Sequence, residues 1–597
     1  MPFWISSFEL APKEQGVHPE VAYNPCNSKA PGSSEVHQPN QKVFVISLDG
    51  ASWDVLHPLM TQGYMPNLLS LTQQGVSADL ESVVPPVTAS AWTSFMTGKN
   101  PGKHGIFDFT SFDMREYHWG INTAQQIQSK TLWQILSEKG KRAVVVNLPY
   151  TYPPYPINGV MVSGWDAPSG QTNFTYPHSL RSRILEMFPN YSANLWVSEF
   201  MPQQSEQHFR EFTARLICGF EQGTGLASHL LDTENWDLFL IHFQQTDWLQ
   251  HKLWAYIEKG CREPGDKSSR VEAVRRCYKR FDELIGSLLK KVASHHPLTI
   301  LLSDHGFGRD LGAVYSNYYL REWGYYHLHD EPEDGLREVK DFFRKSSSAP
   351  LRKFYDSAAR AKSWLGNKKA LSQEHSSWAD STTSVVTQRG LQIDWTRTKV
   401  ATIWAYKVGY LFVNLVGRGS HGIVQPGAEY ETLVSELIAR FQDIRHPRTS
   451  ERLLARVARG SEIYPQSQDG ILLPDIVLIP QDGYGVSFSV SEAPPEISNE
   501  GSHRHNGVLL IDGEGLKRPA ENFRPNLIDI APTVLHLLGL SVPADMDGRV
   551  LGEIFPNLPP VSYEEVDNRK APETATEYTA QEAELIEQRL KGLGYVE

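Results

Sequence analysis

Apolar residues in this chain gather in short unbroken runs rather than in alternating ones. Val43-Phe44-Val45-Ile46-Ser47-Leu48 runs straight into Asp49-Gly50, and Leu238-Phe239-Leu240-Ile241-His242-Phe243 and Leu298-Thr299-Ile300-Leu301-Leu302 repeat the form. Ala143–Asn147, Asp475–Pro480 and Gly507–Ile511 add further members. Unbroken runs of this length predict strands buried on both faces, as in a parallel sheet. Between them lie stretches with helical spacing: Thr131–Leu136 before Gly140, Phe209–Leu231, Val271–Val292, Tyr430–Phe441, and Asp529–Leu538 with Pro532 in its first turn and Gly539 at its end. Pro66–Leu71 followed by Gly75 predicts a shorter helix. Helix, glycine, buried strand is the rhythm of an open α/β sheet.

The rhythm fails in three places, which divide the chain. Residues 1–41 are rich in Pro, Ser, Asn and Gly and predict a poorly ordered extension. Residues 42–324 carry the first part of an α/β core. From 325 to 398 charged and small polar residues dominate, with scattered Trp and Phe, which predicts a mainly helical insertion that caps the site. The core is expected to resume over 399–555, and 556–597 reads as an acidic helical tail. No internal repeat is present.

Charge and cysteine content narrow the function classes. A net charge of -12, without a long Lys/Arg block, argues against a nucleic-acid-binding surface. Cys26, Cys218, Cys261 and Cys277 have no metal-binding or redox spacing and read as reduced thiols. No apolar stretch approaches the ~18 residues of a membrane span. Phe3-Trp4-Ile5 lacks a basic flank and a sustained apolar region, so no signal peptide is expected and a cytoplasmic location is.

Chemistry gathers at the ends of the apolar runs. Asp49-Gly50 closes the first. Pro85-Pro86-Val87-Thr88-Ala89-Ser90 then presents a hydroxyl just before a helix N-terminus, where free amides favour an anion. Asp247 and His251 lie four apart, on one face of a helical turn. Ser303-Asp304-His305-Gly306 follows another strand, and Gly306 is expected to let the backbone turn sharply there. His503 lies in the polar stretch before the Gly507 strand. Carboxylate with imidazole suits zinc or manganese rather than calcium or magnesium. Singly, each group has an ordinary reading as a turn, a surface pair or a loop histidine. Together they fall at the ends of predicted parallel strands, where α/β sheets carry their sites.

In this order, from Val43 to Leu551, the motifs resemble the alkaline phosphatase superfamily, most closely its type I phosphodiesterase/nucleotide pyrophosphatase branch. The resemblance implies an alkaline phosphatase-like α/β/α sandwich with a mostly parallel central sheet. It implies a hydrolase of small-molecule phosphate esters, phosphodiesters or nucleotide-type pyrophosphates, that uses two divalent metals. One metal would be held by Asp247, His251 and His503. The other would be held by Asp49, Asp304, His305 and the nucleophile Thr88, which forms a covalent intermediate. Zinc is the first choice and manganese the second. Ser90 is the competing hydroxyl, but the family places its nucleophile directly after Pro-Pro-Val. The Cys/Ser-x-Pro-x-Arg motif of sulfatases is absent near Thr88, and the serine of the phosphoglycerate mutase branch fits poorly.

One departure concerns substrate. Nucleotide pyrophosphatases place an Asn shortly after His-Gly, and here Ile106-Phe107-Asp108-Phe109 stands instead. Lys103, Asp108, Arg504 and His505 are the candidate substrate contacts, with Lys99 beside them; solvated surface charge is the alternative reading of the basic ones. His104 reads as a structural loop residue. Trp92 and Trp248 read as core fillers that could stack on a base. The same site would also serve a phosphomonoesterase or a phosphotransferase. A non-catalytic binding protein is a different class, against which the complete ligand set counts.

Overall fold

The computed structural model describes residues 41–168, 173–189, 191, 205–329, 393–490, 497–565 and 578–593, all within one compact unit, 37–597. Its strands include β1 (Val43–Leu48), β2 (Val76–Glu81), β3 (Ala143–Val146), β4 (Gly159–Val162), β5 (Thr175–Tyr176), β6 (Leu238–Phe243) and β7 (Leu298–Leu302). They continue with β8 (Gly306–Arg309), β9 (Val400–Ala405), β10 (Gly409–Val413), β11 (Leu454–Arg459), β12 (Ile476–Pro480), β13 (Gly501–Arg504) and β14 (Asn506–Asp512). Eight of these form the main sheet in the order β2-β14-β7-β1-β6-β3-β4-β5. β7, β1, β6, β3 and β4 run parallel, while β14 and β5 run against their neighbours. The unbroken apolar runs are its centre, and every residue of β1, β6 and β7 is buried.

Two groups of helices pack with this sheet. α1 (Trp53–Thr61), α2 (Pro66–Gln74), α5 (Glu206–Thr233), α6 (Gln245–Arg262) and α7 (Ser269–Val292) contact one another, as do α3 (Thr88–Thr97), α4 (Leu132–Glu138) and α9 (Ile530–Leu537). Where a helix lacks its own cap, a neighbour supplies one. Met65 cannot cap α2, and buried Asp282 of α7 accepts the Leu68 and Asn67 amides at 2.8 and 3.0 Å. The result is the expected mixed α/β fold with a large, mostly parallel sheet.

The chain after 399 differs from expectation. β9 to β12 do not join the main sheet; they build a separate four-stranded antiparallel sheet in the order β9-β10-β12-β11. α8 (Ala428–Gln442) packs on it, and it has its own core around Val400, Phe412, Val434, Leu437 and Ile476. Both sheets bury the apolar runs of their central strands, so a run such as Ile476–Leu478 does not reveal which one it joins. The main sheet regains the chain only at β14. Of the expected helical insertion, residues 330–392 lie outside the described residues, as do residues 1–40 of the N-terminal extension. The tail does contain a helix, α10 (Ala580–Leu593), and its Arg589 donates to the Trp165 and Ala167 carbonyls at 3.4 and 2.9 Å.

Candidate active site

The central strands β7, β1 and β6 deliver carboxylates to one edge of the sheet. Asp49 follows β1, Asp247 lies in the first turn of α6 after β6, and Asp304 and His305 follow β7. Gly50 turns the chain at φ 64°, and a Cβ there would meet Phe307 at 2.9 Å and Asp247 Oδ1 at 3.3 Å. This turn lets the Gly50 amide donate to Asp304 Oδ1 at 3.1 Å. Gly306 plays a different part from the one expected. It opens β8 rather than a left-handed turn, and a Cβ there would lie 2.0 Å from the Asn506 carbonyl oxygen. That closeness allows β8 to pair with β13, with Phe307 opposite His503. His503 therefore sits on a strand, not in a loop. It reaches the cluster because β14 runs antiparallel, so the residues before its start lie at the edge where the parallel strands end.

Asp49, Asp247, Asp304, His251, His305, His503 and Thr88 are all buried. Asp247 Oδ1 lies 3.4 Å from His251 Nε2 and 3.3 Å from His503 Nε2, and those two nitrogens are 3.0 Å apart. His305 Nε2 lies 3.5 Å from Asp49 Oδ1 and 3.3 Å from Asp304 Oδ2. Thr88 Oγ1, the first hydroxyl of α3, donates to Asp49 Oδ1 at 3.4 Å. Potential ligand atoms of Asp247, His305 and His503 lie within 4.8 Å of one another, as do those of Asp49, Asp304 and His305. The two groups share His305, whose ring stacks on His503 at 3.6 Å between centroids.

The donor chemistry fits cations. His503 Nδ1 lies 2.9 Å from the Pro86 carbonyl, and His305 Nδ1 lies 3.1 Å from that of Gly306. A carbonyl only accepts, so Nδ1 carries the proton in both rings and the Nε2 lone pair of the neutral imidazole faces the carboxylates. A lone pair opposite a carboxylate is repulsive unless a cation lies between them. Asp304 Oδ2 and His305 Nε2 have no hydrogen-bond partner among the described residues. Burial holds His305 well below the ordinary imidazole range and takes His503 to about 4, which disfavours a proton as that cation. Burial first, then the neighbouring carboxylates, raises Asp49 and Asp304 well above the usual range. Burial acts upward on Asp247 too, but His251 and His503 outweigh it and hold Asp247 low.

A buried scaffold fixes these side chains. Trp92 Nε1 donates to Asp49 Oδ2 at 2.7 Å, so this indole does more than fill core. Its ring meets His242 edge-on at 5.0 Å. His242 Nε2 lies 3.6 Å from Asp49 Oδ2 and 3.1 Å from Gln244 Oε1, and Gln244 Nε2 donates to Asp247 Oδ2 at 3.3 Å. Thr246 Oγ1 donates to the Asp49 carbonyl at 2.6 Å, and Gln250 Nε2 to that of Gly50 at 2.8 Å. Sequence reasoning missed His242 and Gln244. The available signal was a histidine inside an otherwise apolar strand.

The remaining candidates are engaged elsewhere. Lys103 Nζ pairs with Asp547 Oδ1 at 2.6 Å, and Lys99 with Asp545 Oδ2 at 2.5 Å, which ties the region after α3 to a distant loop. His505 Nε2 lies 3.4 Å from Glu81 Oε1 at the sheet margin. Arg504 donates to the Ser502, His503 and Arg309 carbonyls, and its Nε lies 3.4 Å from Asp482. Asp108 accepts the Phe109 amide at 2.6 Å, and burial pushes its carboxyl up to about 7. His104 is structural: Nδ1 accepts the Ile106 amide at 3.2 Å, so Nε2 donates to Ser94 Oγ at 2.8 Å. Ser90 Oγ is buried and has no hydrogen-bond partner among the described residues. Trp248 is buried as well.

Buried carboxylates and imidazoles at the edge of a mostly parallel sheet are a donor set that suits divalent cations. A family model described as type I phosphodiesterase/nucleotide pyrophosphatase matches residues 43–507. The chain belongs to that family. Comparison with curated proteins gives no significant match. Among solved structures it is similar to phosphonoacetate hydrolase from Sinorhizobium meliloti 1021 in complex with phosphonoformate, at 13% identity over 84% of this chain and 96% of the other, with a TM-score of 0.49. Human ectonucleotide pyrophosphatase/phosphodiesterase 5 is similar at 14% identity over 87% and 100% of the two chains, with a TM-score of 0.45. No helix among the described residues is long and apolar enough to cross a membrane.

Proposed function

We propose that the protein hydrolyses phosphodiesters or nucleotide-type pyrophosphates through a covalent intermediate on Thr88, with two divalent cations, zinc in preference to manganese. The observation that carries this is the buried set of three carboxylates and three imidazoles beside the Thr88 hydroxyl, with Asp304 Oδ2 and His305 Nε2 left without hydrogen bonds. Asp247, His251 and His503 would hold one cation; Asp49, Asp304, His305 and Thr88 would hold the other. Bound there, the cations supply Lewis acidity to the hydroxyl and the phosphoryl oxygens.

The chain's own residues do the rest. Thr88 begins α3, and Val87 provides no side-chain cap, so the first amides of that helix remain available to a phosphoryl group. Asp49 Oδ1 accepts the Thr88 hydroxyl and stands where its proton leaves. Thr88 oxygen forms a bond to phosphorus as the bond to the departing ester oxygen breaks, and water later displaces Thr88 from phosphorus. The Pro86 and Gly306 carbonyls keep His503 and His305 in the tautomer that presents Nε2.

The test is metal analysis together with turnover of bis(p-nitrophenyl) phosphate and p-nitrophenyl phosphate. Two ions per chain, a diester-to-monoester ratio above one, and activity lost in Thr88→Ala with both ions kept are the expected results. Full activity in Thr88→Ala, or a chain that binds no ion, refutes the reading.

A further inference from the structure

The turn between β9 and β10 holds a cation one tyrosine ring away from His503. Tyr406 in this turn meets the His503 ring edge-on at 5.0 Å, and Lys407 Nζ lies 5.5 Å from the Tyr406 ring centroid. One tyrosine ring thus connects the ammonium to an imidazole of the site. Lys407 is 6% exposed. Its ammonium has three donors, and among the described residues its one hydrogen bond is to the Tyr484 carbonyl at 3.4 Å. Among the described residues no carboxylate lies within ion-pair distance of it. The nearby cation, Arg504, already donates to three carbonyls and to Asp482; it adds positive potential, against which Asp310 and Asp482 act from beyond ion-pair distance.

The position is also rigid. The Val486 amide donates to the Tyr406 carbonyl at 2.9 Å, and the Tyr406 amide to that of Val408 at 3.4 Å. A buried ammonium with one long hydrogen bond is a poor structural device, since an apolar side chain of the same length would fill the space without desolvating a charge. Fixed donors awaiting an anion are instead what a recognition site needs.

We propose that Lys407 receives a second anionic group of the substrate, beyond the phosphoryl centre. This rests on the phosphodiesterase reading and deepens it: the substrate class becomes phosphodiesters or pyrophosphates whose far arm carries a carboxylate or a phosphate.

Matched pairs of p-nitrophenyl phosphodiesters test this in the full-length, metal-loaded protein. Their second arm is an alkyl chain of two to five carbons, bare in one member and ending in carboxylate or phosphate in the other. The wild type is expected to favour an anionic arm in kcat/KM by about tenfold or more, and Lys407→Gln to bring that ratio close to one. The better of the two arms identifies the anion. Lys407→Arg keeps the charge and is expected to retain most of the preference, which separates recognition from a folding defect. Calorimetry with 2-carboxyethylphosphonate and propylphosphonate supplies a readout independent of turnover, in which the same preference and the same loss in Lys407→Gln are expected. Equal handling of bare and anionic arms by the wild type, in turnover and in binding, overturns the role of Lys407 and leaves the phosphodiesterase reading standing. No turnover of any ester, with the binding preference present, overturns the hydrolase reading and leaves Lys407 as an anion site.

Discussion

Replacing Lys407 by Met is expected to stabilise the protein, and to do so only below alkaline pH. Burial, and then the like charge of Arg504, push the Lys407 ammonium down from 10.5 to about 7, against the opposing pull of Asp310 and Asp482. A base whose affinity for its proton is lower in the folded than in the unfolded chain costs stability while both states are charged. Below pH 7 both are protonated and the full penalty applies. Between pH 7 and 10.5 the folded lysine has lost its proton and the unfolded one has not, so stability rises with pH by about 1.4 kcal/mol per pH unit. The span corresponds to a penalty of about 5 kcal/mol at low pH. Methionine has a similar length and no charge. It forfeits the bond to the Tyr484 carbonyl, worth about 1 kcal/mol. The net gain expected near pH 6 is therefore about 2–4 kcal/mol.

Thermal unfolding of wild type and Lys407→Met, followed in parallel from pH 6 to pH 10, measures this. The variant should melt several degrees higher at pH 6, and the gap should close to about 1 °C at pH 10. Pairing the two proteins at each pH cancels the titration of every other group. A variant that melts lower at pH 6, or a gap that stays constant with pH, would falsify the picture of a buried ammonium with no direct ion pair. A closing gap would show that the chain keeps a destabilising cation next to its site.

Three further changes probe the scaffold. Trp92→Phe keeps the buried ring and removes the N–H that holds Asp49; metal affinity should fall about tenfold, read by competition with a zinc-sensitive dye. Asp304→Asn removes a charge from the set that contains Asp49 and His305, and metal analysis should find one ion fewer per chain. Tyr464 donates to the Val84 carbonyl at 2.8 Å and accepts from Tyr410 at 2.6 Å. Tyr464→Phe leaves that carbonyl unpaired in the loop that carries Pro86 and Thr88, at a cost of about 1–3 kcal/mol. It should lower kcat several-fold with KM little changed, and an unchanged kcat would show that this loop needs no support from the second sheet.

Five of the eight main-sheet strands, and six of the seven residues proposed for the site, were legible because buried sheet strands announce themselves twice. Their apolar runs are unbroken, and their C-terminal ends carry the chemistry, so Asp49, Asp304 and His305, and Asp247 with its helical partner His251, stand out by position. Thr88 follows from Pro85-Pro86-Val87 before a helical stretch. His503 was legible only as a motif. Gly501–Arg504 has no strand-like pattern, and it becomes a strand because Gly306 lets the chain approach closely enough to pair. The basic residues misled for a similar reason. Lys103 looks solvated in the sequence because its partner Asp547 lies 444 residues away. Nothing local marks Lys407, a single lysine in a turn, whose burial is purely tertiary.

The separate sheet bears on how the site divides its labour. Among the described residues, the groups proposed to hold cations come from the edge of the main sheet and the short β8–β13 ribbon. The second sheet contributes none of these groups, yet three aromatic residues on it or on its connections reach the same place: Tyr410 and Tyr464 support the loop that carries Thr88, and Tyr406 packs against His503. Substitutions in the second sheet are therefore expected to change substrate choice and turnover while metal stoichiometry stays intact. Substitutions at the main-sheet edge should change stoichiometry first. A Tyr406→Phe variant that lost an ion would break this division, because the ring that meets His503 is preserved in phenylalanine and only the hydroxyl is removed.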